Sequence, residues 1–295
     1  MKRLVPVFQT LLFVWSSLMC TFTAHAQVPT TVPTSVNAGP TLDAAGPEQR
    51  RSLNAIYLIF CPGVGTGSGF LLDNGVIVTN VHVVATCTKD NLVAVGAKNQ
   101  QVTFSKIIPD ERRDLALLIP VDKLTHGLKL ASNDKPEPGT GVSTWGYPFV
   151  YNGTSPLLSV GYVAGYRELT DANSKSVKHI IVNGAFNHGN SGGPLLVSQR
   201  DEVIGVVELT YTFYPPEVKQ FIDGLSKQGS GFMIAERTLP DGTKQHVSEA
   251  QITGMVLQEF YDKTQVMIGE AIAGSELAAM IKERSADLVA ANIKP

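Results

Sequence analysis

Cysteine is scarce in this chain, with three in 295 residues, at positions 20, 61 and 87. So few exclude a disulfide-stapled miniature domain. No Cys-x-x-Cys pair or histidine pair at ligand spacing is present to hold zinc, so no metal site is expected. Neither sign of charge dominates, with 24 Lys and Arg against 26 Asp and Glu. No basic cluster offers a footprint for nucleic acid or for a membrane surface. No internal repeat of fixed period runs along the chain. The 27 Gly and 17 Pro are too few for a fibrous or wholly disordered protein. What is present is a chain 43% hydrophobic, enough to bury one large domain or two small ones.

The N-terminus reads as a targeting segment. Lys2 and Arg3 give a basic start, Leu11 to Met19 is mostly apolar, and Ala24-His25-Ala26 has the small-x-small form of a signal-peptidase site. The stretch is interrupted by Pro6, Gln9 and two serines, whereas a membrane span needs about 20 mostly apolar residues. Met19 before Cys20 is too bulky for the usual lipid-attachment site. The expectation is therefore a signal peptide over 1–26, cleavage after Ala26, a secreted or periplasmic product and no stable membrane anchor. Losing Lys2 and Arg3 takes the basic count from 24 to 22 against 26 acids, a net charge of −4. Two cysteines remain, Cys61 and Cys87. In an oxidising compartment a single disulfide is the natural reading, with two buried free thiols as the other.

Residues 27–48 are rich in Pro, Thr, Val and Ala, carry little charge and show no period, which reads as a flexible leader. From Leu53 short apolar runs recur, beginning with Ala55 to Phe60 and Val76 to Thr79. Later runs are Leu115 to Ile119, Ile180 to Val182, Pro194 to Val197 and Val203 to Val207. Turn signals such as Asp73-Asn74-Gly75, Asn152-Gly153 and Asp241-Gly242 separate them. Many short strands argue for an all-β barrel or sandwich. The last fifty residues differ. Ser248-Glu249-Ala250-Gln251 resembles a capping box, after which Ile252, Met255, Val256 and Phe260 share a helical face. Leu277, Met280, Ile281 and Leu288 repeat the pattern, predicting two helices that pack on the β core.

Three segments carry chemistry. His82 ends the apolar run Val78-Thr79-Asn80-Val81, Asp114 opens Leu115-Ala116-Leu117-Leu118, and Ser191 sits in Gly189-Asn190-Ser191-Gly192-Gly193-Pro194. A serine hydroxyl is a poor nucleophile without a base to take its proton and donors awaiting the oxyanion. Glycines at 189, 192 and 193 let the backbone turn sharply and aim N–H groups at one point. Gly189-x-Ser191-x-Gly193 formally fits the nucleophile elbow of lipases, which requires a helix after the serine and an acid and a histidine downstream. Here Pro194 and a strand-like run follow, and the one downstream histidine, His246, lies in a polar stretch. The order His82, Asp114, Ser191 is that of the chymotrypsin-type template.

These segments resemble the trypsin-like proteases of the HtrA/Deg type. The matching pieces are Gly67-Ser68-Gly69-Phe70, Thr79 to Val84, Asp114 to Leu118, Gly146-Tyr147-Pro148-Phe149, Ser159-Val160-Gly161 and Asn187 to Pro194. Val203-Ile204-Gly205-Val206 follows at the family's spacing, and Gly231-Phe232-Met233-Ile234 is similar to its domain-closing strand. The resemblance implies a chymotrypsin-like double β-barrel over 49–236, with a hairpin and helical extension over 237–295. It implies His82 as general base, Asp114 as its orienting partner and Ser191 as nucleophile, with an oxyanion hole around Gly189, Asn190 and Ser191. No cofactor is implied, and the partner is a protein or peptide substrate. Ala185, Phe186 and Asn187 are expected to line the primary pocket, with Glu208, Leu209 and Thr210 on the edge strand facing the substrate. Phe186 and the lack of an acid at Ala185 argue against Arg or Lys at that pocket and for a small or medium apolar side chain.

The C-terminal helices stand where many relatives carry a PDZ module, so PDZ-style peptide sensing is not expected. Asn190 replaces the acid that pairs with a new N-terminus in trypsin zymogens, so activity should need no trimming beyond signal removal. His188 reads as an exposed loop residue, and Asn152-Gly153-Thr154 is a glycosylation sequon in a eukaryotic host. Two rival functions share the fold: a catalytically silent binding protein, and an esterase using the same serine.

Overall fold

The computed structural model describes residues 36–295 apart from 63–64, 149–150, 152–154, 171–173, 199, 211–215, 229–232, 239–242 and 264–266. The signal segment, most of the leader, the Asn152-Gly153-Thr154 sequon, Gly231, Phe232 and the Asp241-Gly242 turn lie outside the described residues. Part of the expected leader is structured. Helices α1 (Gly39–Ala44) and α2 (Pro47–Asn54) precede the first strand. Val36, Ala38 and Leu42 join the main core cluster. These apolar residues have no helical period, so the composition hid their burial.

The first barrel contains β1 (Ile56–Cys61), β2 (Gly65–Leu71), β3 (Ile77–Thr79) and, after the one-turn helix α3 (Val81–Val84), β4 (Val93–Gly96). Strands β5 (Gln101–Val102), β6 (Phe104–Asp110) and β7 (Leu115–Pro120) complete it, in the order β5-β4-β1-β2-β3-β7-β6 with antiparallel pairing throughout. All of β1 and Leu115 to Ile119 of β7 are buried, which explains their unbroken apolar runs. Each aliphatic side chain so buried contributes about 1.5–3 kcal/mol. Cys61, at the end of β1, is bonded to Cys87 just past α3, with 5.8 Å between their Cα atoms.

The second barrel begins with β8 (Lys129–Leu130), β9 (Gly141–Gly146), β10 (Leu157–Thr170), β11 (Ser176–Gly184), β12 (Pro194–Val197) and β13 (Glu202–Thr210). An insertion follows: α4 (Pro216–Lys227), the hairpin β14 (Met233–Thr238) and β15 (Lys244–Ser248), and α5 (Glu249–Lys263). Only then comes β16 (Gly269–Ala273), which lies between β11 and β13 in the order β12-β9-β10-β11-β16-β13-β8. Pairing of β12 with β13 closes the barrel. The strand that closes the domain is therefore not Gly231–Ile234: Met233 and Ile234 belong to β14, which pairs with β15. The barrel extends past residue 236 to β16. Gly269 is required there because a Cβ would sit 2.4 Å from the Phe186 ring.

The capping box forms at the start of α5, with Gln251 N–H donating to Ser248 Oγ at 3.2 Å and Ser248 N–H to Gln251 Oε1 at 3.0 Å. On its expected apolar face, Val256 and Phe260 are 46% and 62% exposed, and α5 packs on α4 and β15 of the insertion rather than on the β core. In helices α6 (Gly274–Glu283) and α7 (Ser285–Ala290), Leu277, Met280 and Leu288 are fully buried in the main core cluster, which draws residues from both barrels.

Candidate active site

His82 stands on α3, after Asn80, whose extended backbone turns the chain out of β3. Asp114 ends the turn between β6 and β7 with φ +51°, a left-handed conformation that Asp tolerates better than most residues. Strand pairing of Thr79 with Ala116 brings the two ends together. His82 Nδ1 lies 2.6 Å from Asp114 Oδ2, and the His82 backbone N–H donates to Oδ1 at 2.9 Å. A carboxylate only accepts, so Nδ1 carries the proton and Nε2 is the basic nitrogen. Asn80 Nδ2 donates to Asp114 O at 2.9 Å, fixing the acid's own backbone. The imidazole side chain is 49% exposed and faces solvent on its outer side.

Two tight turns meet at Asn190, and Ser191 is the second residue of the latter. Asn190 N–H donates to Asn187 O at 3.0 Å and Gly193 N–H to Asn190 O at 2.9 Å, with Gly189 and Gly192 at φ +98° and +84° in the positions that demand it. At Gly192 a Cβ would stand 2.1 Å from Ser68 O and 2.3 Å from Thr79 Oγ1, so only glycine fits. The same position is 3.2 Å from Asn80 N, which places the serine loop against the segment leading into His82. Among the described residues, no acceptor engages the N–H groups of Gly189 or Ser191. Asn190, included in the expected oxyanion hole, does not belong there: its N–H is spent closing the first turn. Ser191 Oγ donates to Glu208 O at 2.9 Å.

The pocket residues need correction. Phe186 is fully buried in the second barrel's core, with its ring against Gly269, so it backs the site rather than lining it. Ala185 and Asn187 are half-buried, and His188 is exposed as expected. Glu208 turns its carboxylate inward, to His179 Nε2 at 3.0 Å, so its carbonyl is what meets the serine. Leu209 and Thr210 pair with Glu270 and Gly269 of β16, while the ladder from β13 to β12 stops at Val206.

The sequence does not show the roles of several residues. Ser68, fully buried in β2, donates from Oγ to Gly189 O at 2.6 Å, accepts from Tyr147 N–H at 3.0 Å, and donates its N–H to Ser191 O at 2.8 Å. It pins the serine loop of the second barrel to the first. A glycine on either side of a serine in a strand was the available signal. Behind Glu208 lies an ionic row across adjacent strands: Arg167 binds both oxygens of Glu270 at 2.5 and 2.7 Å, and His179 lies between Glu270 and Glu208. Burial works against a charge on His179, but the hydrogen bond and charge of Glu208 and the charge of Glu270 outweigh it and raise its pKa. Among the described residues no His, Cys, Asp and Glu side chains converge as a metal-binding group. Two cavities, of about 150 and 740 Å³, lie away from His82, Asp114 and Ser191.

Comparison with known proteins agrees with this arrangement. The family model described as trypsin-like peptidase domain matches residues 67–206. The zebrafish (Danio rerio) serine protease HTRA1A is 38% identical over 156 residues, covering 50% of this chain and 31% of that protein. A probable periplasmic serine endoprotease, DegP-like, of Rickettsia conorii is 29% identical over 224 residues, covering 75% of this chain and 42% of that protein. The chain thus spans less than half the length of these two relatives. The active form of the Mycobacterium tuberculosis protease Rv3671c shares the fold, with a TM-score of 0.52 at 16% identity over 88% of this chain and 92% of that one. Residues 67–206, with the double barrel and the motifs placed on it, thus match a trypsin-like peptidase domain whose relatives are of the HtrA/DegP type.

Proposed function

We propose that this chain is an exported serine endopeptidase acting through His82, Asp114 and Ser191. The observation that carries the reading is the paired hydrogen bond from His82 to Asp114, set beside a glycine-framed serine with two unengaged amides. Ser191 Oγ leaves Glu208 O by a rotation about χ1 between staggered wells and gives its proton to His82 Nε2 as it attacks the peptide carbonyl. Asp114 holds the imidazole in the required tautomer and stabilises the imidazolium. The N–H groups of Gly189 and Ser191 receive the oxyanion. The C–N bond breaks as His82 returns the proton to the leaving amine, and water then hydrolyses the acyl-enzyme by the same route in reverse. The edge of β13 beyond Val207, whose own N–H and carbonyl are taken by Gly193 and Gly192, suits an extended peptide added as a strand.

Export rests on the N-terminal pattern and on the Cys61–Cys87 bond, which suits an oxidising compartment. The relative named as periplasmic is consistent with it. No helix among the described residues is long and apolar enough to cross a membrane.

The test is degradation of denatured casein and hydrolysis of a small ester by the purified mature protein, beside Ser191→Ala and His82→Ala. Casein cleavage lost in both variants supports the proposal. Ester turnover without casein cleavage favours the esterase, and neither activity favours the silent binding protein.

A further inference from the structure

The residue before the proposed catalytic acid is a buried arginine tied to helix α6. The Arg113 side chain is 5% exposed and four of its five N–H donors are used. Nη1 reaches Asp110 Oδ2 at 2.6 Å and Glu283 Oε2 at 2.8 Å, Nη2 reaches Glu283 Oε1 at 2.8 Å, and Nε reaches Glu276 Oε2 at 2.9 Å. Glu276 and Glu283 are seven residues apart on α6 and so share one face. Glu276 is itself a bridge, its Oε1 accepting from Lys178 N–H of β11 at 3.2 Å.

The placement matters more than the number of bonds. Helix α6 follows β16 directly and so travels with the barrel that carries Ser191. Arg113 belongs to the turn that carries Asp114 on the other barrel. The cluster therefore joins the two halves of the proposed site one residue from the acid. Asp114 is held at φ +51°, and such a conformation persists where its surroundings over-determine it. On one side Asn80 Nδ2 and Val81 N–H bind its carbonyl, at 2.9 and 3.3 Å. On the other, Arg113 fixes the peptide that enters it.

We infer that Arg113 is a positioning residue for Asp114, and that Glu276 and Glu283 make helix α6 a working part of the active site rather than a cover for the β core. The inference rests on the serine-peptidase reading above. It assigns helix α6 the task of holding the acid's turn in register with the serine's barrel.

The test compares wild type with Arg113→Gln, Arg113→Lys, Glu276→Gln and Glu283→Gln. Lys106→Ala serves as a control, because it breaks the exposed Lys106–Asp287 link between β6 and α7 without touching the acid's turn. kcat and KM are measured well below each variant's Tm, with the one-dimensional proton NMR signal of the His82 Nδ1–H bonded to Asp114. Arg113→Gln should lower kcat about 10- to 100-fold with little change in KM, since small misplacement of a catalytic group has effects of that size. It should also shift or broaden the His82 signal. Arg113→Lys should recover part of the loss, and the control should keep wild-type kcat and signal. Glu283, half-exposed at 56%, keeps the test open if Arg113→Gln does not fold, and Glu283→Gln should lower kcat severalfold with the same change in signal. Unchanged kcat and unchanged His82 signal in folded Arg113→Gln or Glu283→Gln would overturn the inference. Wild type without any turnover would instead overturn the peptidase reading, and the NMR comparison would still decide whether Arg113 positions Asp114.

Discussion

Ser68→Ala tests whether one buried hydroxyl holds the nucleophile loop. In the fold its Oγ donates to Gly189 O at 2.6 Å and accepts from Tyr147 N–H at 3.0 Å. Alanine removes both bonds and leaves a carbonyl and an amide buried without partners, at about 1–3 kcal/mol each. The hydroxyl's volume is too small for a replacement water, so the expected loss is about 2–6 kcal/mol. For a chain of this length that corresponds to a Tm lower by about 5–15 °C. Function should suffer separately, because the released Gly189 carbonyl frees the loop that aims the two unengaged amides. Loss of one oxyanion donor costs about 10²–10³ in kcat, so imperfect aim should cost at least about 10-fold. Thermal melts followed by circular dichroism, with kcat and KM taken well below both midpoints, separate the two effects. A variant with wild-type Tm and wild-type kcat would refute the role given to Ser68.

Further expectations follow from other contacts. Replacing Cys61 and Cys87 together by serine opens a loop of 26 residues and should lower stability by about 3 kcal/mol, read as a shift in denaturant midpoint. Phe186→Ala should cost about 3–5 kcal/mol by the same assay, because the ring is a core residue; a cost under about 1 kcal/mol would restore it to an open pocket wall. His179 binds its proton more tightly in the folded chain than its ordinary value of 6.5 allows. Its contribution to stability is therefore complete below that value and is lost as pH rises through the raised one. The Tm should fall as pH rises above about 6.5, and His179→Gln should flatten that fall.

The sequence made the functional half of the fold legible because its signals are local. His82, Asp114 and Ser191 each sit beside a strongly apolar strand or a glycine-rich turn, and both features survive without knowledge of tertiary partners. Strand β16 was not legible. Its five residues include a fully buried Glu270 and three small residues, a composition that suits a strand only because Arg167, His179 and the close backbone of Gly205 meet it. The insertion of α4, β14, β15 and α5 before β16 then displaced the apparent end of the domain. Phe186 was misplaced for a related reason, since a residue near the serine in sequence was read as near the substrate, whereas its ring fills the space over Gly269. The pairing of Arg113 with α6 spans 163 and 170 residues, a distance at which neither periodicity nor motif spacing carries information.

The most direct test of the central claim is reaction of the mature protein with a fluorophosphonate probe, followed by peptide mapping of the adduct. The account predicts stoichiometric modification on Ser191 alone, abolished in Ser191→Ala and slowed by at least about 10⁴-fold in His82→Ala. An unmodified Ser191 in folded wild-type protein, or labelling that survives Ser191→Ala, would contradict it.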